Sequence, residues 1–189
     1  MQKIVWKRCL ARLSALLLAI FLLIPCLFEG QASASTVQAA TRFHRLHQPG
    51  AGKVIVVSLA HQGLYAYKDG SEVFHTAVMT GRPELGTPTG IYHVFAKLSP
   101  TTFYSPFPPG SAEWYPPTHI TYALEWKEGG FFLHDSWWHS LYGPGTNRWH
   151  YDPIDGWQSG SHGCIAMPLS AAAWLYNWAP IGTTVQINA

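Results

Sequence analysis

The sequence has 189 residues, 48% of them hydrophobic and 12% charged, and a formal net charge of +2. The first 34 residues hold four of the twelve Lys and Arg residues and one of the ten acidic residues, so the rest of the chain is close to neutral. This balance argues against a nucleic-acid-binding protein, and the roughly 155 residues that remain are enough for one domain with a hydrophobic core.

The N-terminus has the features of a signal peptide. A basic start is followed by an apolar run over residues 13–28 and by a small-residue cleavage motif at residues 32–34. We predict a signal peptide over residues 1–34 that is cleaved after Ala34. An uncleaved membrane anchor is the alternative, although the apolar run is short for a bilayer span. Both interpretations place the rest of the chain outside the cytoplasm, and membrane association is expected only without cleavage.

Residues 35–52 are small and polar without periodicity, which predicts a flexible linker, and residues 53–189 form one predicted domain. Its first half is predicted to be β-structure, because β-branched and aromatic runs alternate with turn signals. Asp69-Gly70 is a two-residue hairpin signal between two of these runs. The strands are predicted over residues 53–59, 64–67, 72–80 and 90–97, with an irregular Gly- and Pro-rich loop over residues 81–90.

The second half contains long loops. Six of the fourteen prolines fall within residues 99–118, which predicts a surface flap. A loop with four tryptophans over residues 135–160 is long enough to suggest a functional role. The regular elements predicted here are a hairpin of strands 120–126 and 130–134, a helix over residues 168–178 with Ser170 as its cap, and a strand over residues 183–188. The domain is therefore expected to be mostly β with one or two short helices.

Cys164 is the one cysteine outside the predicted signal peptide, which contains Cys9 and Cys26. A lone thiol in an oxidising compartment is expected to be either buried or used. His162 stands two residues earlier, and a histidine so placed can lower the pKa of the thiol and deliver a proton to a leaving group. The N–H groups of Gly163 and Cys164 are candidate oxyanion donors. Cys164 is thus a candidate nucleophile, with an inert buried cysteine as the alternative.

His134 is the second candidate catalytic residue. It ends an apolar predicted strand and precedes Asp135, so a neighbouring carboxylate or carbonyl can fix its tautomer; a surface histidine is the alternative. A metal site would be the main rival use, since His134, His139, His150 and His162 lie within 29 residues. Their segments lack the paired spacing that zinc sites use. No metal or other cofactor is therefore expected.

Residues 161–165, Ser-His-Gly-Cys-Ile, resemble the signature of the L,D-transpeptidase (YkuD-type) catalytic domain. The resemblance covers residues 53–188 and is specific because several segments match together. They are Gln-Gly-Leu-Tyr at residues 62–65, Thr-Gly at 80–81, Gly-Thr-Pro-Thr-Gly-Ile at 86–91, Phe-Leu-His-Asp at 132–135, Leu-Tyr at 175–176, and Gly-Thr at 182–183 with Val185.

This resemblance implies a mostly β, sandwich-like domain of mixed sheets that catalyses acyl transfer on peptidoglycan stem peptides. The thiolate would attack the carbonyl between the L-centre of a diamino acid and a terminal D-alanine, release D-alanine, and pass the acyl group to an amine of a second stem. Cys164 would be the nucleophile and His134 the proton donor and acceptor, with His162 as the alternative base. The N–H groups of Gly163 and Cys164 would form the oxyanion hole. Other residues lining the site would be Ser161, His162 and Asp135.

Two features depart from the family pattern. Ala166 stands where the family usually has Arg or Asn, so that polar contact would be absent or come from elsewhere, with Arg148 as one source. The spacing from His134 to Ser161 is also longer, and the additional residues are predicted to build a Trp-rich lid. The alternative functions are an L,D-carboxypeptidase, in which water resolves the thioester, and a non-catalytic wall-binding protein. A monomer acting outside the cytoplasm is expected.

Overall fold

The computed structural model describes residues 52–189. The predicted signal peptide, residues 1–34, and residues 35–51 of the predicted linker lie outside the described residues. Within residues 52–189, no helix is both long and apolar enough to cross a bilayer.

The described residues form thirteen strands and one α-helix. In chain order they are β1 (Lys53–Ser58), β2 (Gly63–Lys68), β3 (Ser71–Ala77), β4 (Gly90–His93), β5 (Ala96–Leu98), β6 (Thr101–Phe103), β7 (Thr118–Ile120), β8 (Ala123–Lys127), β9 (Phe131–Asp135), β10 (Trp149–Asp152), β11 (Gly156–Ser159), β12 (Ile165–Met167), α1 (Leu169–Trp178) and β13 (Thr184–Asn188).

Two mixed sheets build the domain. The first has the order β3-β2-β1-β13-β4, and the second has the order β12-β9-β8-β5. β1 is parallel to β13 and β12 is parallel to β9, whereas the other neighbours are antiparallel. The turn between β2 and β3 is the predicted one: Asp69 and Gly70 both have positive φ, 51° and 85°, as a two-residue hairpin turn requires.

The strand predicted over residues 90–97 is in fact two strands in different sheets. The chain changes sheets at Val94 and Phe95. The Val94 N–H donates to the carbonyl of Thr183 at 2.9 Å, beside β13, and the Phe95 N–H donates to the carbonyl of Glu125 at 2.9 Å, on β8. Alternating hydrophobicity cannot reveal such a crossing, because both halves keep the period of two.

The core lies between the two sheets and α1. β1, β8, β12 and β13 each contribute two alternate side chains to it, as the pleat dictates, and α1 packs against β8 and β9. The helix begins after Pro168, which occupies the N-cap position without a side-chain hydrogen bond, so the predicted cap at Ser170 is wrong. The mostly β, mixed-sheet architecture is confirmed. The fully buried core side chains include Ile55, Val57, Leu64, Val94, Leu124, Leu133, Ile165, Met167, Leu175 and Val185.

Two small hairpins stand outside the sheets. β6 and β7 pair at the base of the predicted flap, and β10 and β11 pair within residues 135–160, which were expected to form a loop. The second hairpin is held by the buried carboxylate of Asp152. That carboxylate accepts hydrogen bonds from the N–H groups of Ser140, Leu141, Ile154 and Asp155 at 2.7–3.2 Å. Although burial opposes ionisation, these donors lower the pKa of Asp152.

We expect Asp152→Asn to reduce the free energy of unfolding at pH 7 by about 1–3 kcal/mol, because an amide NH₂ would face backbone donors. The pKa of Asp152 is lower in the folded state than in the unfolded state, where it is about 3.9. The stabilisation that the ionised carboxylate contributes is therefore present above about pH 3.9 and is lost as the pH falls below that value. Urea unfolding at pH 7 and pH 3 measures this. Asp155→Asn, at a half-exposed carboxylate in the same turn, is the matched control. Equal losses for the two variants would contradict the assignment.

Candidate active site

The candidate catalytic residues come from two adjacent parallel strands. β12 pairs with β9 so that Ile165 lies beside Leu133 and Ala166 beside His134. Ile165 and Leu133 face the core, so His134 and the Cβ atom of Cys164 lie on the opposite face. Strands are spaced by nearly 5 Å and two residues advance by about 6.6 Å, which places the two Cα atoms about 8 Å apart. The sheet thus brings together a thiol and an imidazole that are 30 positions apart in the sequence.

His134 is buried and held in one tautomer. Its Nδ1 donates to the carbonyl oxygen of Asp135 at 2.7 Å, and because a carbonyl only accepts, Nε2 carries the free lone pair. Burial lowers the pKa of His134, against the opposing effects of the Asp135 carbonyl and carboxylate. The rings of Phe103 and Trp138 flank it, with centroids at 5.1 and 6.2 Å. The ring of His134 is therefore held in one orientation, with the lone pair of Nε2 available.

Asp135 supports the site through both its carboxylate and its backbone carbonyl. Its carboxylate is buried and accepts hydrogen bonds from the N–H groups of Thr121, at 2.9 Å, and Tyr122, at 2.6 Å. The expectation that Asp135 lines the substrate is therefore replaced by a scaffold role: the side chain ties β9 to the segment before β8, and the carbonyl orients His134. The sequence offered a carboxylate or a carbonyl as the group that orients His134, and the carbonyl of Asp135 is the one that contacts it.

The thiol of Cys164 is hydrogen-bonded to the backbone at the start of β9. It donates to the carbonyl of Gly130 at 3.3 Å, while Sγ accepts from the N–H of Phe132 at 3.5 Å. Burial raises the pKa of Cys164 to about 11, with a lowering effect from the Phe132 N–H and a raising effect from Glu125. The thiol must therefore lose its proton to a base during a reaction.

A tight turn over residues 161–164 leads directly into β12. The hydroxyl of Ser161 donates to the carbonyl of Cys164 at 2.5 Å and accepts from the N–H of Gly163 at 3.1 Å. Gly163 has a φ of 111°, and a Cβ there would lie 2.7 Å from the ring of Phe131. This position therefore requires glycine.

The turn changes the expected oxyanion hole. The Gly163 N–H is already bonded to Ser161, so one of the two expected donors is occupied. Within residues 52–189, the N–H of Cys164 has no hydrogen-bond acceptor. Ser161 is thus a component of the turn, and Cys164 contributes the free donor.

Residues that the sequence analysis did not assign to the site support this turn. The carbonyl of Thr80 accepts from the N–H of Ser161 at 3.0 Å, and the Thr87 hydroxyl donates to the carbonyl of Gly163 at 3.0 Å. Gln62 is buried, and its amide bonds the backbone N–H of Thr80 at 2.8 Å and the Thr80 hydroxyl at 2.7 Å. Gln62, Thr80 and Thr87 lie in three of the family-like segments. Their polar side chains were the sequence feature that could have pointed to this support, since a buried amide needs hydrogen-bond partners.

His162 lies on another side of the motif, beneath the flap, which we define as residues 104–117. Its Nε2 is 3.4 Å from the carboxylate of Glu113, which also forms an ion pair with Arg82. Burial, followed by the charge of Arg82, lowers the pKa of His162 to about 4. The structure therefore separates the two candidate bases: His134 is oriented on the sheet, and His162 faces a flap carboxylate.

The flap also packs against the ring of His162. The ring of Tyr115 lies 5.3 Å from that of His162. Burial, and in addition the nearby Cys164, raises the pKa of Tyr115. Neither the closeness of this tyrosine to the cysteine nor the role of Glu113 was readable from the sequence, because the flap has no regular periodicity.

The departure at Ala166 has a structural counterpart. Ala166 is buried, and its backbone bonds that of Met79 on the side of β12 opposite β9. The arginine that contacts the motif is Arg82, whose N–H donates to the carbonyl of Ser161 at 3.0 Å, whereas Arg148 is exposed. Among residues 52–189, no three His, Cys, Asp or Glu side chains are grouped as metal ligands.

Comparisons with known proteins agree with this geometry. Residues 52–187 match the family model of the L,D-transpeptidase catalytic domain, YkuD. An L,D-transpeptidase from Mycobacterium smegmatis has a similar structure, with a TM-score of 0.60 and 22% identity over 73% of this chain and 59% of that one. A cysteine-to-serine mutant of the Enterococcus faecium L,D-transpeptidase gives a TM-score of 0.59 and 28% identity over 72% of this chain and 49% of that one. The chain thus spans about half to three-fifths of these structures. Among curated proteins, none matches.

Proposed function

Because the chain belongs to the L,D-transpeptidase catalytic domain family, we propose that it is a cysteine-dependent acyltransferase that cross-links peptidoglycan stem peptides outside the cytoplasm. Cys164 forms a thioester with a donor stem, D-alanine leaves, and an amine of a second stem receives the acyl group. The observation that supports this proposal is the parallel pairing of β12 with β9, in which Ala166 lies opposite His134 and Cys164 stands two residues before Ala166. The Nε2 of His134 is kept free by the Nδ1–carbonyl hydrogen bond.

The first half-reaction needs a proton transfer and a change of rotamer. The thiol lies at the start of β9, where it is hydrogen-bonded to the carbonyl of Gly130 and to the N–H of Phe132. Rotation about χ1 turns Sγ toward His134, which takes the proton as the sulfur attacks the donor carbonyl. The N–H of Cys164 then donates to the oxyanion. When the C–N bond breaks, His134 returns the proton to the amine of D-alanine.

The second half-reaction reverses these roles. The acceptor amine attacks the thioester carbonyl and gives a proton to His134. The C–S bond breaks, and the proton returns to the sulfur, so the enzyme ends in its starting state. His162 is a less suitable base, because its Nε2 faces the Glu113 carboxylate at 3.4 Å, whereas Nε2 of His134 is left free. We assign it a role in lining the site.

The location proposed for the reaction follows from its substrate and from the sequence of residues 1–34. Stem peptides are assembled into the wall outside the cytoplasm, and the basic, apolar N-terminus is the kind of segment that directs export. N-terminal sequencing of the exported protein tests cleavage after Ala34. An unprocessed N-terminus would favour the anchored form.

Intact-mass spectrometry with a tetrapeptide-stem disaccharide tests the activity. We expect a covalent adduct on Cys164 equal to the donor minus D-alanine, followed by cross-linked dimers. Loss of D-alanine without dimers would point to the carboxypeptidase. An intact, accessible thiol with no change in the substrate would contradict the proposal and favour a wall-binding protein.

A further inference from the structure

Arg82 is a largely buried cation that the proposed mechanism does not use. Its side chain is 15% exposed, and burial lowers its pKa. The backbone holds it against the motif: its N–H donates to the carbonyl of Ser161 at 3.0 Å, and a Cβ on Gly160 would lie 2.6 Å from that nitrogen. The backbone of Arg82 is thus fixed against the turn that carries Cys164, and its guanidinium pairs with the carboxylate of Glu113.

The partner of Arg82 is a carboxylate that belongs to the flap. Glu113 forms the ion pair, and its Oε2 also lies 3.4 Å from Nε2 of His162. His162 is two residues from the nucleophile, and the ring of Tyr115 packs beside His162. A carboxylate supplied by a segment outside the two sheets therefore already pairs with Arg82 and lies beside His162, in the turn that precedes Cys164.

A donor stem peptide brings a carboxylate to the same region. The residue that leaves is a C-terminal D-alanine, so its free carboxylate lies one residue beyond the carbonyl that Cys164 attacks. Arginine recognises carboxylates through paired N–H groups. A buried guanidinium is costly without a counter-charge, so exchange of one carboxylate for another keeps the site neutral.

We propose that Arg82 binds the C-terminal carboxylate of the donor stem peptide, and that Glu113 occupies this carboxylate site until the donor displaces it. The inference rests on the proposed function, because it takes its ligand from that reaction. Displacement of Glu113 releases the flap from Arg82 and His162 and opens the approach to Cys164. Arg82 is thereby a specificity-determining residue, which selects donors with a free terminal carboxylate over blocked or longer peptides.

Binding measurements on the full chain carrying Cys164→Ala test this directly. The probes are a stem tetrapeptide that ends in D-alanine and the same peptide as its C-terminal carboxamide, titrated by calorimetry. We expect the acid to bind about tenfold or more tightly than the amide. Arg82→Gln should remove this preference, and Glu113→Gln should tighten binding of the acid severalfold and by more than it tightens binding of the amide. Arg148→Gln, which removes an exposed positive charge, is the matched control and should leave the preference intact.

Equal binding of acid and amide, including no binding of either, would overturn the proposal, as would a preference that survives in Arg82→Gln. If Arg82→Gln does not fold, as judged by its thermal transition, Glu113→Gln decides: unchanged affinity for the acid would overturn the proposal. Acylation of the wild-type thiol, followed separately by intact mass, distinguishes the two ideas. Arg82-dependent binding without acylation would contradict the acyltransferase alone, and acylation with no acid preference would contradict the carboxylate site alone.

Discussion

Replacing Cys164 with alanine is expected to abolish the covalent adduct with a donor stem peptide and to reduce the rate of D-alanine release at least about 10³-fold. The reason is that no other described side chain of the site is a thiol, and the thioester needs one. Intact-mass spectrometry measures the adduct, and chromatography measures D-alanine. Cys164 is half-buried, so removing Sγ should change the free energy of unfolding far less than it changes the activity.

The resting state of the thiol provides a control for this prediction. Because burial raises the pKa of Cys164 to about 11, alkylation by iodoacetamide should be slow at pH 7 and should accelerate toward pH 11. A rate that is already maximal at pH 7 would mean that the free enzyme holds a thiolate, and the proton transfer to His134 would then be unnecessary. Release of D-alanine by Cys164→Ala at the wild-type rate would exclude Cys164 as the nucleophile.

Replacing His134 with glutamine is expected to lower kcat for acylation by about 10²–10⁴-fold, which is the usual contribution of a general base. Glutamine removes the titratable Nε2 and leaves a side chain of similar length. His162→Gln is the matched control, with an expected loss below about tenfold, because Nε2 of His162 faces Glu113. Rates of adduct formation in the two variants decide between the two histidines.

The pH profile gives this assignment a second readout. Burial lowers the pKa of His134 below its ordinary value of about 6.5. Protonation of His134 should therefore not limit the acylation rate above pH 6.5. The rate should fall as the pH drops through the lowered pKa of His134, because a protonated imidazole can no longer accept a proton. This acid limb should disappear in His134→Gln and persist in His162→Gln. The opposite pattern would identify His162 as the base.

The geometry explains why the two histidines differ. His134 belongs to a strand with neighbours on both sides, and its ring is held by the Asp135 carbonyl and by Phe103 and Trp138. His162 belongs to a turn, and its surroundings come from the flap. A catalytic group held by a sheet keeps its position while a flap moves. The proposed base, His134, is therefore attached to the central sheet and not to the flap.

The sequence by itself determined those structural elements and candidate residues that depend only on neighbouring residues. Runs of β-branched, aromatic and apolar residues predicted β1, β2 and β9 to within one residue at each end, and Asp69-Gly70 predicted the hairpin turn, because strand propensity and turn geometry depend on neighbouring residues. The lone cysteine with its flanking glycine and histidine identified Cys164 as the candidate nucleophile, since the chemistry of a thiol depends on residue type. His134 was found as a candidate because a strand end followed by a possible orienting group is also a local pattern.

Only the tertiary structure decided how these groups work together. The crossing of the chain at Val94, the bonding of the Gly163 N–H to Ser161 and the pairing of Arg82 with Glu113 depend on contacts whose geometry no local pattern records. The carboxylate of Asp135, expected near the substrate, instead satisfies backbone donors in the preceding segment. Which neighbour a polar group finds is set by the register between strands and by the path of the flap, and these emerge only when the whole core packs.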